Sequence, residues 1–256
     1  MGNCMSNSEI FEAGNYRYMP GVMQYSGGVV AMPGYTIERR TFRRVVELGE
    51  GFVKIAQYLT QIGRPLTSFC ACELRSPAPF DELGFEQFNR RYIIPLTQWG
   101  IFQSDVNPVA RTNVCPAFMP PTMPGFYAFS YTVPTQLLNS QTFVVAGSGE
   151  VPEGKGNYRD YIICPNDVSP TGMKSKADWV LTEMERRMKS LGVTWSDMTS
   201  TQVYSVRDIH PVMETELVKR GAAIMGLNWQ WARPPVVGLD FEMDVRGIIH
   251  EQVIIG

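Results

Sequence analysis

Three segments decide the fold of this chain: TSTQVYSVRD (199–208), ARPP (232–235) and DFEMDV (240–245). The last segment alternates acidic with apolar residues, which predicts a strand with one buried face. The first segment is predicted to form a second strand over residues 199–206. Beyond it, apolar residues recur at helical spacing from Pro211 onward, which predicts a helix. The local order is therefore strand, helix, turn and strand.

The first half of the chain repeats this order. It contains the predicted strand SFCACELR (68–75), the arginine-bearing segment NPVARTNV (107–114) and the predicted strand FYAFSYTV (126–133). Because the landmarks of the two halves keep a nearly constant separation, we predict two tandem copies, residues 1–135 and 136–256. Each copy is expected to form a β-β-α-β-α-β unit, a mixed sheet with two helices on one face, and this is an α+β architecture.

Apolar stripes predict the helices of both copies. In the first copy a stripe that begins at Val45 predicts a helix to about Gly63, and Pro95 is expected to kink or shorten the following helix. In the second copy one helix is predicted to end at Gly192, a residue suited to a helix C-terminus. The stripe of the next helix is predicted to continue to Ile224.

Composition and charge exclude several function classes. The chain has 256 residues with 23 Lys+Arg against 25 Asp+Glu, so it has no basic field for nucleic acid. No apolar run reaches the roughly 20 residues of a membrane span, so we expect a cytoplasmic protein without a membrane partner. Five cysteines and two histidines argue against a disulfide framework, a zinc site or a histidine-based triad. Cys70 and Cys72 are predicted to share one face of a strand as buried hydrophobic residues.

The order and spacing of these motifs resemble the RidA/YjgF family of enamine/imine deaminases. The second copy resembles it closely through LG (191–192) and the three segments quoted first, and the first copy more loosely through CELRSPAPF (72–80) and PVARTNV (108–114). The resemblance implies a chorismate-mutase-like fold, trimer-like barrels and clefts between units, and hence a homotrimer of six units. A chain of this length with two copies is also similar to a subgroup that deaminates 2-aminomuconate-type acids, chlorinated ones included.

The resemblance also implies site residues. The family's carboxylate-binding arginine matches Arg233, with Arg111 in the same position of the first copy. A guanidinium suits this task because it presents parallel N–H donors and keeps its charge. The family's acid, which orients or activates water, matches Glu242. Gly149 and Gly28 match a Ser-Gly turn whose backbone N–H can reach a ligand.

Other candidate residues surround these positions. Asn113 occupies a place next to the arginine that the family often fills with cysteine, and Tyr127 is the nearest equivalent of the acid in the first copy. Trp231 and Trp229 flank Arg233 and are candidates for the wall of a cleft that binds a planar acid, with core packing as the alternative.

Weaker candidates come from the N-terminal third. Tyr16 and Tyr18 are candidates for the mouth of the cleft. The basic run Arg39–Arg44 is expected to form a solvated face, with contact to a second substrate carboxylate as the alternative.

The implied reaction is hydrolytic deamination of a small carboxylic acid, without a metal or cofactor. Two alternatives from other classes stay open: a non-catalytic ligand-binding or assembly protein of the same fold, and a chorismate-type hydrolase or lyase. RNA cleavage, which has also been attached to the family, is disfavoured by the charge balance.

Overall fold

The computed structural model describes residues 8–136 and 141–255. Within these ranges the strands form two mixed sheets that are flanked by helices. In chain order the strands are β1 (Glu9–Phe11), β2 (Tyr16–Met19), β3 (Gly28–Ala31), β4 (Tyr35–Glu47), β5 (Phe69–Arg75), β6 (Ala110–Pro116), β7 (Gly125–Pro134), β8 (Phe143–Gly149), β9 (Ser200–Tyr204), β10 (Asn228–Gln230), β11 (Ala232–Arg233), β12 (Glu242–Gly247) and β13 (His250–Ile254). The helices are α1 (Leu48–Gln61), α2 (Glu82–Gln98), α3 (Pro170–Leu191) and the short α4 (His210–Val212), which continues as a π-helical turn over Met213–Val218.

The two sheets share a common strand order. The first sheet runs β1-β2-β3-β8-β12-β9-β10, and the second runs β11-β6-β5-β7-β4-β13. The order β10-β9-β12-β8 therefore corresponds to β6-β5-β7-β4, and the second strand in each set is parallel to the first. This is the mixed-sheet α+β class that the sequence predicts.

The sheets do not follow the division at residue 135. Strand β3 pairs with β8 of the second half, with Gly28 opposite Val145. In return β13 pairs in parallel with β4, with His250 opposite Glu38, and β11 pairs with β6. Each sheet is thus completed by strands from the other half of the chain.

Helix α1 ends where the sequence predicts but begins later. The Glu47 side chain accepts hydrogen bonds from the backbone N–H groups of Gly49 and Glu50, which fixes the start. Gly63 follows the helix with a φ of +70°. Val45, predicted as helical, lies instead in β4, a strand of 13 residues with a register shift. The predicted unit has a second strand before this helix, but its extent to Glu47 is not predicted.

Pro95 does not shorten its helix, and the helical segment after Pro211 is shorter than the sequence predicts. Helix α2 is not shortened at Pro95 but runs through it to Gln98, because Pro95 lies in the last turn and its carbonyl still accepts from the backbone of Trp99. After Pro211 the helical segment ends at Val218, and Ile224 is exposed. Helix α3 ends at Leu191 before Gly192, which adopts φ +79°, as predicted.

The basic run lies entirely within β4, and only part of it is exposed. Arg39 is buried and donates two hydrogen bonds to Glu73 on β5, at 2.6 and 3.0 Å. Arg40 is held by a neighbouring carboxylate and a phenol, whereas Arg43 and Arg44 are exposed. Half of the predicted solvated face is therefore internal.

Cys70 and Cys72 are both buried, as predicted, but they do not share a face. A register shift between Phe69 and Ala71 places Cys70 in one apolar cluster and Cys72 in another. In the described ranges, no helix has the length and hydropathy that crossing a bilayer requires.

Candidate active site

A cleft of about 300 Å³ opens where the two halves of the chain meet. One wall consists of β6, helix α2 and the segment 22–25, and the other consists of β8, β12 and the loop over 151–158. The cleft is therefore built from elements distant in sequence, which the exchange of strands between the sheets brings together.

Arg111 lies at the base of the cleft. Strand β6 pairs in parallel with β5, which places Arg111 opposite Cys72 and beneath α2. Its Nη2 donates a hydrogen bond of 2.8 Å to Oδ1 of Asn89. Four aromatic rings surround the guanidinium, those of Tyr92 and Tyr25 having centroids 4.8 and 5.1 Å from its carbon. The arginine is only 3% exposed, so its charge acts in a medium of low polarity.

Three buried N–H donors in this cleft have no acceptor among the described residues. They are Nη1 of Arg111, Nδ2 of Asn89 and Nδ2 of Asn113. The Oδ1 of Asn113 accepts a hydrogen bond from the Ser76 hydroxyl at 2.9 Å, so the oxygen of this amide is paired and its nitrogen is not. Buried donors are nearly always paired in folded proteins. Three unpaired donors together, one of them on the Arg111 cation, indicate a binding site for an anionic group.

Glu242 faces the cleft from β12. It is 3% exposed and lies opposite Gly149 on β8 and Tyr204 on β9. Burial raises the pKa of Glu242 well above its ordinary value, and the nearby Asp244 carboxylate raises it further, whereas Arg111 lowers it. Glu242 therefore keeps its proton to a higher pH than an exposed glutamate.

Glycines of β8 allow the two walls to approach each other. A Cβ atom on Gly147 would collide with Oε1 of Glu242 and would press on Thr112 of β6. Gly149 lines the cleft, and a Cβ there would meet the Leu239 side chain. The absence of a side chain at Gly147 is thus what leaves room for the Glu242 carboxyl group.

A buried arginine supports this wall from behind. Arg187 of α3 donates through Nη1 to the carbonyl oxygens of Ala146 and Gly147, and through Nη2 to Glu153 at 2.9 Å. The Tyr25 hydroxyl donates to the same Glu153 oxygen at 2.7 Å. Burial raises the pKa of Tyr25, so this hydroxyl stays protonated.

Four of the eight predicted site residues meet in this cleft: Arg111, Asn113, Gly149 and Glu242. The other four lie elsewhere. Gly28 is in β3 and leaves room for Leu191 and the backbone of β8. Tyr127 lies against the Arg75 guanidinium, with its ring centroid 4.2 Å from the guanidinium carbon.

The structure does not bring Arg233 together with Glu242 in the cleft. Arg233 is exposed and lines a neighbouring pocket of about 440 Å³. The segment 234–239 contributes residues to both pockets. Trp231 is 56% exposed and contacts Trp229, and neither ring lines the cleft of Glu242. Arg111, rather than Arg233, therefore lines the same cleft as Glu242.

Sequence reasoning missed Asn89 and Tyr25. Tyr16 and Tyr18, the candidates for the mouth of the cleft, do not line it and bond to the Phe69 carbonyl and to Glu9 instead. Nothing in its local sequence distinguishes Tyr25 from other loop tyrosines. Asn89 offered a sequence signal, because it is an amide four residues after Phe85 and three before Tyr92, within the apolar stripe of α2. The structure confirms that it is buried, with 1% exposure.

Comparisons with known proteins agree with the resemblance seen in the sequence. The family model described as 2-aminomuconate deaminase CnbZ matches residues 8–252. The 2-amino-5-chloromuconate deaminase of Comamonas testosteroni is 49% identical over 251 residues, which cover 98% of this chain and all of that protein.

Solved structures are similar at lower identity. A chorismatase matches with a TM-score of 0.51 and 8% identity, covering 94% of this chain and 78% of its own. This likeness concerns the fold alone. The E. coli YjgF protein matches with a TM-score of 0.32 and 16% identity, covering 52% of this chain and 91% of its own. The family match over nearly the whole chain confirms the subgroup that the sequence predicts: the chain belongs to the CnbZ 2-aminomuconate deaminase family.

Proposed function

We propose that this protein is a hydrolytic deaminase that converts a 2-aminomuconate-type acid into the corresponding 2-oxo or 2-hydroxy acid and ammonia, in the degradation of aromatic compounds. One observation carries the proposal: a buried arginine with an unpaired N–H and a buried carboxyl group of raised pKa line the same cleft. The name of the Comamonas relative, at 49% identity, supports the same substrate class.

Arg111 is the proposed binding group for the substrate carboxylate next to the amino-bearing carbon. Its Nη2 is already bonded to Asn89, which fixes the plane of the guanidinium and leaves Nη1 for the ligand. The surrounding aromatic rings exclude water and suit a planar, conjugated acid. A carboxylate bound there also withdraws electron density from the adjacent carbon, which favours attack by water.

Glu242 is the proposed proton-transfer group. The enamine first tautomerises to the imine, and protonated Glu242 then gives its proton to the imine nitrogen. The resulting carboxylate accepts a proton from the water that adds to the carbon. Glu242 next returns this proton to the amino group, the C–N bond breaks, and the hydroxyl proton passes back to the carboxylate. One water is consumed and one ammonia released, and Glu242 ends in its starting state.

The imine is electrophilic before it meets the protein. Most of the required acceleration therefore comes from positioning the substrate and from proton transfer. This division of labour fits a cleft in which an arginine and two amides can hold the substrate and Glu242 can carry a proton.

The deciding experiment measures ammonia release and ultraviolet absorbance on freshly generated 2-aminomuconate and on 2-aminoacrylate. We expect fast release from the muconate. Release from aminoacrylate alone would contradict the assigned substrate class and indicate a general imine scavenger. Acceleration of neither reaction would overturn the proposal and favour a ligand-binding protein or a chorismate-type enzyme of the same fold.

We also propose a homotrimer, which rests on the family resemblance. The exposed position of Arg233, in the edge strand β11, leaves a second arginine-bearing pocket on the surface of the single chain. Light scattering coupled to size exclusion should give about three times the chain mass of 28.8 kDa. The mass of a single chain would contradict the trimer without affecting the cleft, whose walls both come from one chain.

A further inference from the structure

We propose that Asn89 is a substrate-binding residue that shares the substrate carboxylate with Arg111 and determines that this site accepts an anion. The inference rests on the proposed function for the identity of the ligand and extends it to a residue that neither the motifs nor the comparisons assign.

The first argument is the hydrogen bonding of Asn89 itself. The residue lies in the middle of α2 and is 1% exposed. Its Oδ1 accepts from Nη2 of Arg111, which fixes the orientation of the amide. Its Nδ2 then lies in the wall of the cleft without an acceptor among the described residues. A buried amide with one unpaired side is costly unless a ligand or water completes it.

The second argument is the number of donors. Together with Nη1 of Arg111 and Nδ2 of Asn113, the Asn89 amide gives three unpaired N–H groups in the lining of the cleft. They are neighbours, because Asn89 bonds to Arg111 and Asn113 lies two residues from Arg111 on β6. A carboxylate has two oxygens with about four acceptor positions and no donor. It can therefore accept from all three groups, whereas a neutral carbonyl oxygen has only two positions.

The third argument is charge. Arg111 is buried, and in the part of the chain that the structure describes no acidic side chain lies within ion-pair distance of it. Asn89 occupies the place where an aspartate would form an ion pair with the guanidinium. Because the partner is a neutral amide, the positive charge stays uncompensated, and the bound anion becomes its counterion.

This argument gives opposite predictions for ligand binding and for stability. In Asn89→Asp the acceptor for Nη2 is kept and becomes charged, so the protein should unfold at the same or a higher temperature. The same carboxylate would repel an incoming anion, because like charges in an interface cost several kcal/mol, or roughly 100-fold or more in affinity. In Asn89→Ala one donor is lost, and binding should weaken by roughly 10-fold.

The experiment uses cis,cis-muconate, a dicarboxylate that cannot be deaminated, as the probe. Its Kd is measured by calorimetry on the wild type, Asn89→Asp and Asn89→Ala, with thermal unfolding of each protein alongside. Asn228→Asp, at an exposed position on β10 outside the cleft, is the matched control for an added charge and should bind like the wild type.

Each outcome decides the inference. Weaker binding by Asn89→Asp at an undiminished unfolding temperature supports it, and so does a rise in KM of Asn89→Ala for 2-aminomuconate at nearly constant kcat. Muconate binding by either variant with wild-type affinity overturns it, as does a wild type that does not bind muconate. If the wild type binds muconate with this dependence on Asn89 but releases no ammonia from 2-aminomuconate, the proposed function fails and the anion site stands.

Discussion

Arg111 and Glu242 belong to opposite halves of the chain and line the same cleft, where the positive charge of Arg111 partly offsets the effect of burial on the pKa of Glu242. One half thus supplies the proposed carboxylate-binding group and the other the proposed proton carrier. The arginine that follows the stronger sequence motif, Arg233, is exposed and lines a different pocket.

Removal of Arg111 should therefore cost more than removal of Arg233. We expect Arg111→Ala to lower kcat/KM for 2-aminomuconate by roughly 100-fold or more, because truncating one side of a buried charge pair costs about 2–5 kcal/mol. Steady-state kinetics of Arg111→Ala and Arg233→Ala test this, with Arg90→Ala on the exposed side of α2 as the control. A larger loss in Arg233→Ala would move the active site to the other pocket.

Glu242→Gln should lower turnover without abolishing ligand binding. Loss of a general acid–base group typically lowers the rate by roughly 100- to 10,000-fold, so kcat should fall while binding of muconate persists. In the wild type, kcat/KM should fall as pH rises through the raised pKa of Glu242, because its proton is then lost. A Glu242→Gln variant with full turnover would remove this residue from the mechanism.

The same substitution should raise stability at alkaline pH. An unfolded glutamate titrates near 4.5, whereas folded Glu242 titrates at a higher pH because it is buried. Between these values the folded state binds more protons than the unfolded state, so the free energy of unfolding falls as pH rises. Glutamine does not titrate, so the free energy of unfolding of Glu242→Gln does not fall with pH for this reason. Urea denaturation at pH 5 and pH 8 should show a gain over the wild type that is larger at pH 8.

Gly147→Ala tests the close approach of β8 to Glu242. The added methyl group would collide with Oε1 of Glu242, and a displacement of about 1 Å in a catalytic group can cost roughly 100-fold in rate. Activity and unfolding temperature should both be measured. Gly156→Ala, where an added Cβ meets nothing within 4 Å, should retain wild-type activity. Equal activities of the two variants would contradict the proposed tight packing.

Arg187 should contribute more to the free energy of unfolding than its neighbour Arg186. Arg187→Met leaves Glu153 and two backbone carbonyls without their buried donor, which should lower the free energy of unfolding by about 3–5 kcal/mol. Arg186→Met breaks an exposed ion pair with Glu183 and should cost less than about 1 kcal/mol. Urea denaturation of both variants checks the difference, and similar costs would argue against the supporting role of Arg187.

The sequence predicts well those elements whose signal is local. Strands β9 and β12 lie within or close to the segments quoted at the outset, and the alternation around Glu242 places its side chain opposite the apolar face of Met243. The end of α3 at Gly192 follows from the conformational freedom of glycine.

The missed features depend on contacts between distant residues. Strand β4 carries charged residues that are typical of a surface, and the burial of Arg39 among them is explained only by its pairing with Glu73. Gly28 matches Gly149 in spacing, yet it lies in a strand that pairs with β8 instead of repeating it. Asn89 and Arg111 are brought together by the packing of α2 on β6, which no motif spacing encodes.

The exchange of strands between the two sheets has a consequence for how the protein folds as it is synthesised. Strand β4 is synthesised more than 200 residues before its parallel neighbour β13. The edge of the second sheet therefore stays open while the rest of the chain is translated, and it is then available for pairing with other nascent chains. Because its closing contacts span more than 200 residues of sequence, the second sheet should form slowly and only after β13 has been synthesised.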